Sequence, residues 1–412
     1  MTVPLSRNRN YRLLWGSQAL SAFGINASTI ALPLLVLALT GSPVATGLVL
    51  GTSTAAQLLA GLPAGALTDR WNRKKVMLGC EAAQAIAAAS LVVALLWGVA
   101  SVAFIAVVAA VMGACSALFE PAEDACLPSL VPGEQLSTAV AMNSARGHLA
   151  QLSGTAAGGF LFAVGRFVPF AVDVLTHTMA FFFLIFLRLP PRKELPKPVR
   201  HLGQEMTAGL RWMWRNRPLR VIGSFAVVLN LFLAAYFIVI IVVAQARGVP
   251  PGEIGIMAAM LGVGGVLGAL SAPSLMRMVS PYQSIIAVFW ILTALTPLAV
   301  FIDSSYLMGA LFAGMAFLVP TANTTIETYQ LLLTPDALRG RMSAVMGVVT
   351  GIAGAVGPAL GGLLMEVISA NYAILLCAVG IGVVTLLGTI SPTLRRFPRH
   401  AAAEVPHMTV RE

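Results

Sequence analysis

Charge is scarce in this sequence. Only 10% of its 412 residues are charged, against 58% hydrophobic, and the mean hydropathy is +0.86. A soluble domain cannot cover its surface from that mixture, so ordinary soluble folds are excluded. Cysteine is nearly absent. Cys80, Cys115, Cys126 and Cys377 are scattered with no CxxC pair, which indicates neither a disulfide framework nor a metal site. The five histidines, His148, His177, His201, His400 and His407, form no ligand cluster. No Ser–His, Cys–His or metal-ligand constellation supports an intramembrane enzyme. The run "LGVGGVLG" has no preceding strand and no P-loop lysine, so no nucleotide site is read there. No cofactor is expected, and uphill work would have to draw on an ion gradient.

What the sequence has in abundance is long apolar runs. Crossing a bilayer takes roughly 20 residues, and twelve candidates satisfy this, near 13–39, 44–67, 76–98, 102–119, 138–164, 167–189, 221–243, 254–276, 283–302, 306–333, 342–368 and 371–392. The connections are short and rich in Pro and Gly, as in "TGSPVATG", "LVPGEQLS" and "GVPPGEIG". Hydrophobicity runs all round these segments without a period of two, which excludes a β-barrel. The fold class is an all-α membrane protein with twelve transmembrane helices. The first span follows the basic "RNRNYR" and exceeds a signal-peptide core, so it is expected to be retained.

The basic residues assign sides. With the N-terminus cytoplasmic, 23 of the 26 Lys and Arg fall on cytoplasmic segments, leaving Arg166 and Arg247 outside and Arg146 within a span. The positive-inside rule therefore places both termini in the cytoplasm of a multi-pass plasma-membrane protein. That topology accounts for the net charge of +10 without a nucleic-acid partner.

A shift of 203 residues puts Pro132 on Pro335, Gly154 on Gly357, and Gly158–Gly159 on Gly361–Gly362; without a gap it also puts Gly65 on Gly268. The chain thus reads as two related six-helix bundles, 1–189 and 219–412 with a cytoplasmic tail, joined by a linker over 190–218. Leu202, Met206, Leu210 and Met213–Trp214 repeat in the linker at helical spacing among basic residues. This predicts a short amphipathic helix on the cytoplasmic leaflet, in contact with anionic lipid, or else a plain tether.

One charged stretch interrupts the apolar pattern, "GALTDRWNRKKV" from Gly65 to Val76. Its Gly65, Asp69, Arg70, Arg73, Lys74 and Lys75 resemble the signature loop of the major facilitator superfamily. "FEPAEDACLPSLVP", "FAVDVLTH" and "TPDALRGRMSAV" resemble the branch that includes macrolide efflux pumps and the enterobactin exporter. The resemblance implies alternating access by two rocking halves. Asp69 would latch onto the positive N-terminal end of helix 11 near Arg341–Ser343. Arg73, with Arg70 and Lys74 beside it, would pair with Glu120, Glu123 or Asp124 at the end of helix 4. The alternative is that these basic residues only set topology. In the second half the uniform shift leaves Arg277 as the only charge there, so the latch should be asymmetric. Helix 4 lacks the buried arginine carried by many proton-coupled exporters of the superfamily.

Ionisable groups within spans are costly and functional by default. Glu81, Arg146, Asp173, His177 and Glu327 are the coupling candidates. Asp173 and His177, four apart, could pair on the outer side of helix 6, where a structural role is the stronger reading; Glu81 could lie near the cytoplasmic surface, partly hydrated. Glu327 sits in "TANTTIETYQ" of helix 10, a presumed cavity helix, where it could couple proton binding to transport or pair with Arg277 at the gate. Asn26, Gln57, Asn230 and Asn323 would form a polar belt, with Phe119 and Tyr236 among its aromatic walls, suited to an amphipathic organic solute. The expected function is secondary active, proton-coupled export of a lipophilic or amphipathic small molecule by a monomer. A lipid-handling carrier or importer of the same fold, or a non-translocating membrane sensor or scaffold, are the alternatives.

Overall fold

The computed structural model describes residues 4–68, 70–189, 210–335 and 338–395, apart from the side chains at 65, 66, 273, 277, 331, 332, 339–341, 343 and 344. Twelve long helices follow one another: α1 Arg9–Thr40, α2 Pro43–Thr68, α3 Arg73–Leu96, α4 Val102–Leu130, α5 Gly133–Val164, α6 Val168–Ile185, α7 Arg217–Ala246, α8 Pro251–Met278, α9 Pro281–Leu295, α10 Ser305–Leu332, α11 Arg339–Val367 and α12 Ala370–Ile390. Helix α9 continues as a 3-10 segment over Thr296–Phe301, and no strand occurs among the described residues. An even number of crossings puts both ends of the bundle on one face, called the terminal side below; the opposite face is the far side.

Local chemistry sets the helix ends. The side chains of Asn8, Asn72, Ser101, Asn216 and Ser280 each accept a backbone N–H of the first turn of the helix that follows. Gly41 adopts φ 65° just past α1, and its N–H caps the Leu37 carbonyl at 2.8 Å. That left-handed turn lets α2 start two residues later.

Helix α4 runs on to Leu130, well past the end of its apolar run, so the acidic "FEPAED" segment is helical. Eleven of the helices are long and apolar enough to cross a membrane. Helix α5 is the exception. It carries Arg146, His148 and Gln151, and its neighbours are α1 and α8. The expected linker helix lies mostly outside the described residues; 210–215 are helical.

Within the first six helices, α1 packs on α5 and α6, α3 on α4 and α6, and α2 on α4. The second six repeat this, with α7 against α11 and α12, α9 against α10 and α12, and α8 against α10. The two bundles meet through α2–α11 and α5–α8. These contacts correct the uniform shift. Gly158 abuts Ala27, and Gly361 abuts Ala235. Gly362 meets the Pro43 carbonyl, and Gly159 the Pro251 carbonyl. Helices α5 and α11 are thus related by 203 residues but α1/α7 and α2/α8 by 208. Gly65 therefore corresponds to Pro273 rather than Gly268, and Asp69 to Arg277.

One apolar core runs along the far side through both bundles and down the whole second bundle, from Leu35 and Phe170 to Tyr329 and Leu394. On the terminal side the first bundle has a separate core around Tyr11, Leu14, Met77 and Phe119, and the second a small one around Met213 and Met342.

Candidate functional site

The interface between the bundles tightens from the terminal side to the far side. At the far side the backbones touch: a Cβ placed on Gly159 would overlap the Pro251 carbonyl, and one on Gly362 the Pro43 carbonyl. Ser42 Oγ adds a hydrogen bond of 3.3 Å to Glu366 Oε2 across the same seam. Midway, side chains intervene, with Leu152 against Gly262 and Leu58 against Gly351. Nearer the terminal side lie two cavities of about 490 and 500 Å³, the first within the second bundle and the second between the bundles.

Both cavities share Leu233, Leu292, Val319, Asn323 and Glu327. The first is enclosed by α7, α9, α10 and α11, with Asn230, Gln330 and Thr350 in its wall. The second crosses the interface. His148 and Gln151 of α5 face Asn323, Thr324 and Glu327 of α10, and the remaining wall is apolar, formed by Tyr236, Phe237, Leu261, Phe312 and Met315. Glu327 and Asn323, four apart on one helix face, are exposed into this space. Polar groups at one end and aromatic and aliphatic surface at the other suit a solute with both characters.

Of the expected lining residues, Asn230, Tyr236 and Asn323 border these two cavities, while Asn26, Gln57 and Phe119 do not. Phe119 is buried in the first-bundle core because its face of α4 points away from the interface. Tyr236 borders the second cavity but is 2% exposed, and its hydroxyl is taken by the Thr296 carbonyl at 3.3 Å. Asn26 and Asn230 bond back to their own helices, to Ala22 and Ala226 carbonyls. Gln57 is exposed on α2. His148 and Gln151 were not singled out as cavity residues by the sequence; their signal was polar spacing three apart on a helix too polar to face lipid.

The signature loop is only partly described. Asp69, and the side chains at Gly65, Arg277 and Arg341, lie outside the described residues. Arg70 and Trp71 are exposed. Arg73 does not take up one of the helix-4 carboxylates: its Nη1 donates to the Ala125 carbonyl at 2.5 Å. Lys74 Nζ donates to the carbonyls of Ile185 and Leu187 at 2.7 and 2.8 Å. Cations placed there satisfy orphan carbonyls and oppose the negative ends of α4 and α6. Glu123 instead pairs with Arg146 of α5 at 2.9 Å, both side chains about one-tenth exposed or less, while Glu120 and Asp124 are exposed. Arg146 therefore joins α4 to α5 and does not line either cavity.

The remaining coupling candidates converge where α1, α3 and α6 meet. His177 Nδ1 lies 2.6 Å from Glu81 Oε2, and His177 Nε2 lies 3.4 Å from Asp173 Oδ1. Ser28 Oγ donates to Asp173 Oδ2 at 2.9 Å, and Ser21 Oγ lies 3.3 Å from His177 Nδ1. All three ionisable side chains are fully buried. Glu81 is thus not hydrated near the surface, and the Asp173–His177 pair does not face outward from α6. Both corrections have one cause: the helix faces that carry them turn toward α1, where Gly24 leaves room for Asp173 and Thr176.

Comparison with known proteins agrees with this architecture. The model of a family described as transmembrane secretion effector matches residues 2–410. The chain is 28% identical to an uncharacterized MFS-type transporter, YfiS, of Bacillus subtilis, covering 96% of this chain and 97% of that one. It is 28% identical to the multidrug efflux pump Tap of Mycolicibacterium fortuitum (92% and 95% covered), and 26% identical to the enterobactin exporter EntS of Shigella boydii (94% and 93%). Among solved structures, the nucleoside transporter NupG superposes with a TM-score of 0.76 at 12% identity, over 95% of this chain and 100% of that one. A bacterial homolog of the lysosomal transporter Spinster, inward-facing and unoccupied, gives 0.73 at 16%, over 94% and 97%. A twelve-helix integral membrane chain, in two bundles with a cavity at their interface and a full-length family match, belongs to the transmembrane secretion effector family of the major facilitator superfamily and is a transporter, not an enzyme.

Proposed function

We propose that the chain is a secondary active exporter of amphipathic or lipophilic small molecules, driven by exchange with protons across the cytoplasmic membrane. Both termini lie in the cytoplasm, which makes the terminal side the cytoplasmic side, and the arrangement described above the inward-facing state. The observation that carries the reading is the cavity between the bundles, polar at His148, Gln151, Asn323 and Glu327 and aromatic opposite, closed toward the far side by backbone contact. A cargo entering from the cytoplasm or inner leaflet would occupy it, and rocking of residues 1–189 against 219–412 about the linker 190–218 would expose it outside. The names of the relatives Tap and EntS favour export.

Glu327 is the coupling carboxylate of this cavity. It is the carboxylate in the wall of both cavities, exposed into the space that rocking would carry from one side to the other. Asp69 at the end of α2 serves as the cytoplasmic latch in the opposite state, against the N-terminal end of α11, with Gly65 allowing close approach and Arg70, Arg277 and Arg341 flanking the contact.

The test uses inverted membrane vesicles acidified inside, with a pH dye and a panel of amphipathic cations, zwitterions and neutral solutes. Cargo-dependent proton efflux is expected from the unaltered protein and not from Glu327→Gln. Unchanged uphill export by Glu327→Gln would remove the coupling role. No proton movement with any solute, in correctly inserted protein, would overturn antiport.

A further inference from the structure

The Glu81–His177–Asp173 cluster invites a question that the second bundle answers. Burying three ionisable groups costs several kcal/mol before their mutual attraction is counted, and apolar packing of similar volume is often as stable. The same helix junction occurs again at α7, α9 and α12. Helices α3 and α9 correspond at a spacing of 208, set by their N-caps Asn72 and Ser280. Gly24 of α1 abuts Thr176 of α6, and Phe232 of α7 abuts Gly380 of α12, which relates α6 to α12 by 204.

On that register Glu81, Asp173 and His177 correspond to Phe289, Cys377 and Ile381, and Ser21 and Ser28 to Leu229 and Tyr236. All five second-bundle residues belong to its apolar core. Tyr236 and Cys377 share one apolar core, where Ser28 and Asp173 share a hydrogen bond. The fold therefore builds this junction without charge, and the first bundle carries charge there for another reason.

We propose that the α1–α3–α6 junction is a proton-binding site, distinct from the cargo cavity, that holds one exchangeable proton. An imidazolium between two carboxylates leaves one uncompensated negative charge. One added proton, taken by a carboxylate oxygen, cancels it; no other bond forms or breaks. One oxygen is open to receive it: Glu81 Oε1 has no hydrogen-bond partner among the described residues, while Asp173 Oδ1 faces His177 Nε2 at 3.4 Å. The other titratable groups acting on the cluster are the thiols of Cys80 on α3 and Cys115 on α4. Helix α1 contributes only the hydroxyls of Ser21 and Ser28.

The position links charge to movement. The Ser21, Gly24 and Ser28 face of α1 meets the cluster, while Phe23, Asn26 and Ala27 of the same helix meet Gly154 and Gly158 of α5. One residue further, Gly159 makes the far-side seam with Pro251. Adding or removing a charge at the junction changes how α1 seats on α6, and through α5 it biases the seam. Use of the proton in transport rests on the function proposed above; its binding does not.

The experiment is pH-jump infrared difference spectroscopy on the full chain in lipid nanodiscs, without cargo, between about pH 9 and about pH 3, a range spanning ordinary carboxyl and imidazole titration. The unaltered protein should gain one buried carboxylic C=O band that exchanges slowly in D2O. That band should vanish or shift in Glu81→Gln or Asp173→Asn, both near-isosteric, and persist in Glu327→Gln. Absence of the band from the unaltered protein overturns the site, and that control does not depend on how the variants fold. Its persistence unchanged in both cluster variants, or its loss in Glu327→Gln alone, overturns the site as well. Because no cargo is involved, the proton site can stand if export fails, and export can stand if the site fails.

Discussion

The two bundles solve one packing problem in two ways. In the second, an apolar core runs from the far side to the terminal side without a break, through Phe289, Cys377 and Ile381. In the first, the core stops at a polar layer and resumes below it around Met77 and Phe119. A second pair follows the same rule. Helices α4 and α10 begin on equivalent bonds 203 apart, Ile105 N–H to the Ser101 carbonyl and Met308 N–H to the Ser304 carbonyl, so Glu123 and Arg146 correspond to Ile326 and Val349, which pack against apolar core in the second bundle. The helical scaffold is indifferent to whether these positions are charged. The charges mark the first bundle as the one whose internal contacts can respond to protons, while the second supplies most of the cavity wall.

The sharpest way to break this comparison is to leave a charge stranded. Arg146→Met should cost about 3–5 kcal/mol, because Glu123 would stay buried without its partner. The double change Glu123→Ile with Arg146→Val copies the second bundle and should recover most of that loss, both read from thermal melts in detergent. No recovery would mean that the two junctions are not equivalent. Phe289→Ala should also cost about 3–5 kcal/mol, by opening a cavity in the continuous core.

Next in size is the seam. Gly159→Leu has no room against Pro251 and Gly255, and overpacking of this kind costs about 1–3 kcal/mol. The protein should shift toward the far-side-open state, seen as greater labelling of far-side cysteines introduced along α2 and α11. Ser28→Ala removes one hydrogen bond to Asp173 and should cost about 1 kcal/mol. The smallest effect serves as the control. A Cβ on Gly147 meets nothing within 4 Å, so Gly147→Ala should leave stability within about 0.5 kcal/mol or raise it slightly.

The broad architecture was legible because bilayer thickness imposes it. Eleven apolar runs could only become membrane-crossing helices, the more polar 138–164 became α5 among them, and Pro132/Pro335 and Gly158/Gly361 betrayed the repeat. Its register was not legible throughout. The connections between corresponding helices differ in length, so a single shift fitted α5 and α11 but misplaced Gly65 against Gly268. Helix ends beyond hydrocarbon were also hidden, since α4 continues to Leu130 on capping and on the Arg73–Ala125 contact and not on hydropathy.

The site divided along similar lines. Glu327 and Asn323 could be placed near a cavity because the family resemblance makes helix 10 a cavity helix and they lie in its most polar stretch. The convergence of Glu81 with His177, 96 residues away in sequence, could not, because it depends on which faces of α3 and α6 turn toward α1. Arg73 misled for a related reason. Its charge predicts a carboxylate partner, but a helix end offers carbonyls that serve as well and lie nearer.

Alternating access is the claim on which the rest depends, and distances between spin labels test it most directly. One pair would be placed across the far-side seam, between α5 and α8, and one across the terminal side, between α4 and α10, both read with and without a transported solute and at two pH values. The account predicts changes of opposite sign, the far-side pair separating as the terminal-side pair approaches. Distances that stay fixed at both ends, or that lengthen together, would contradict it.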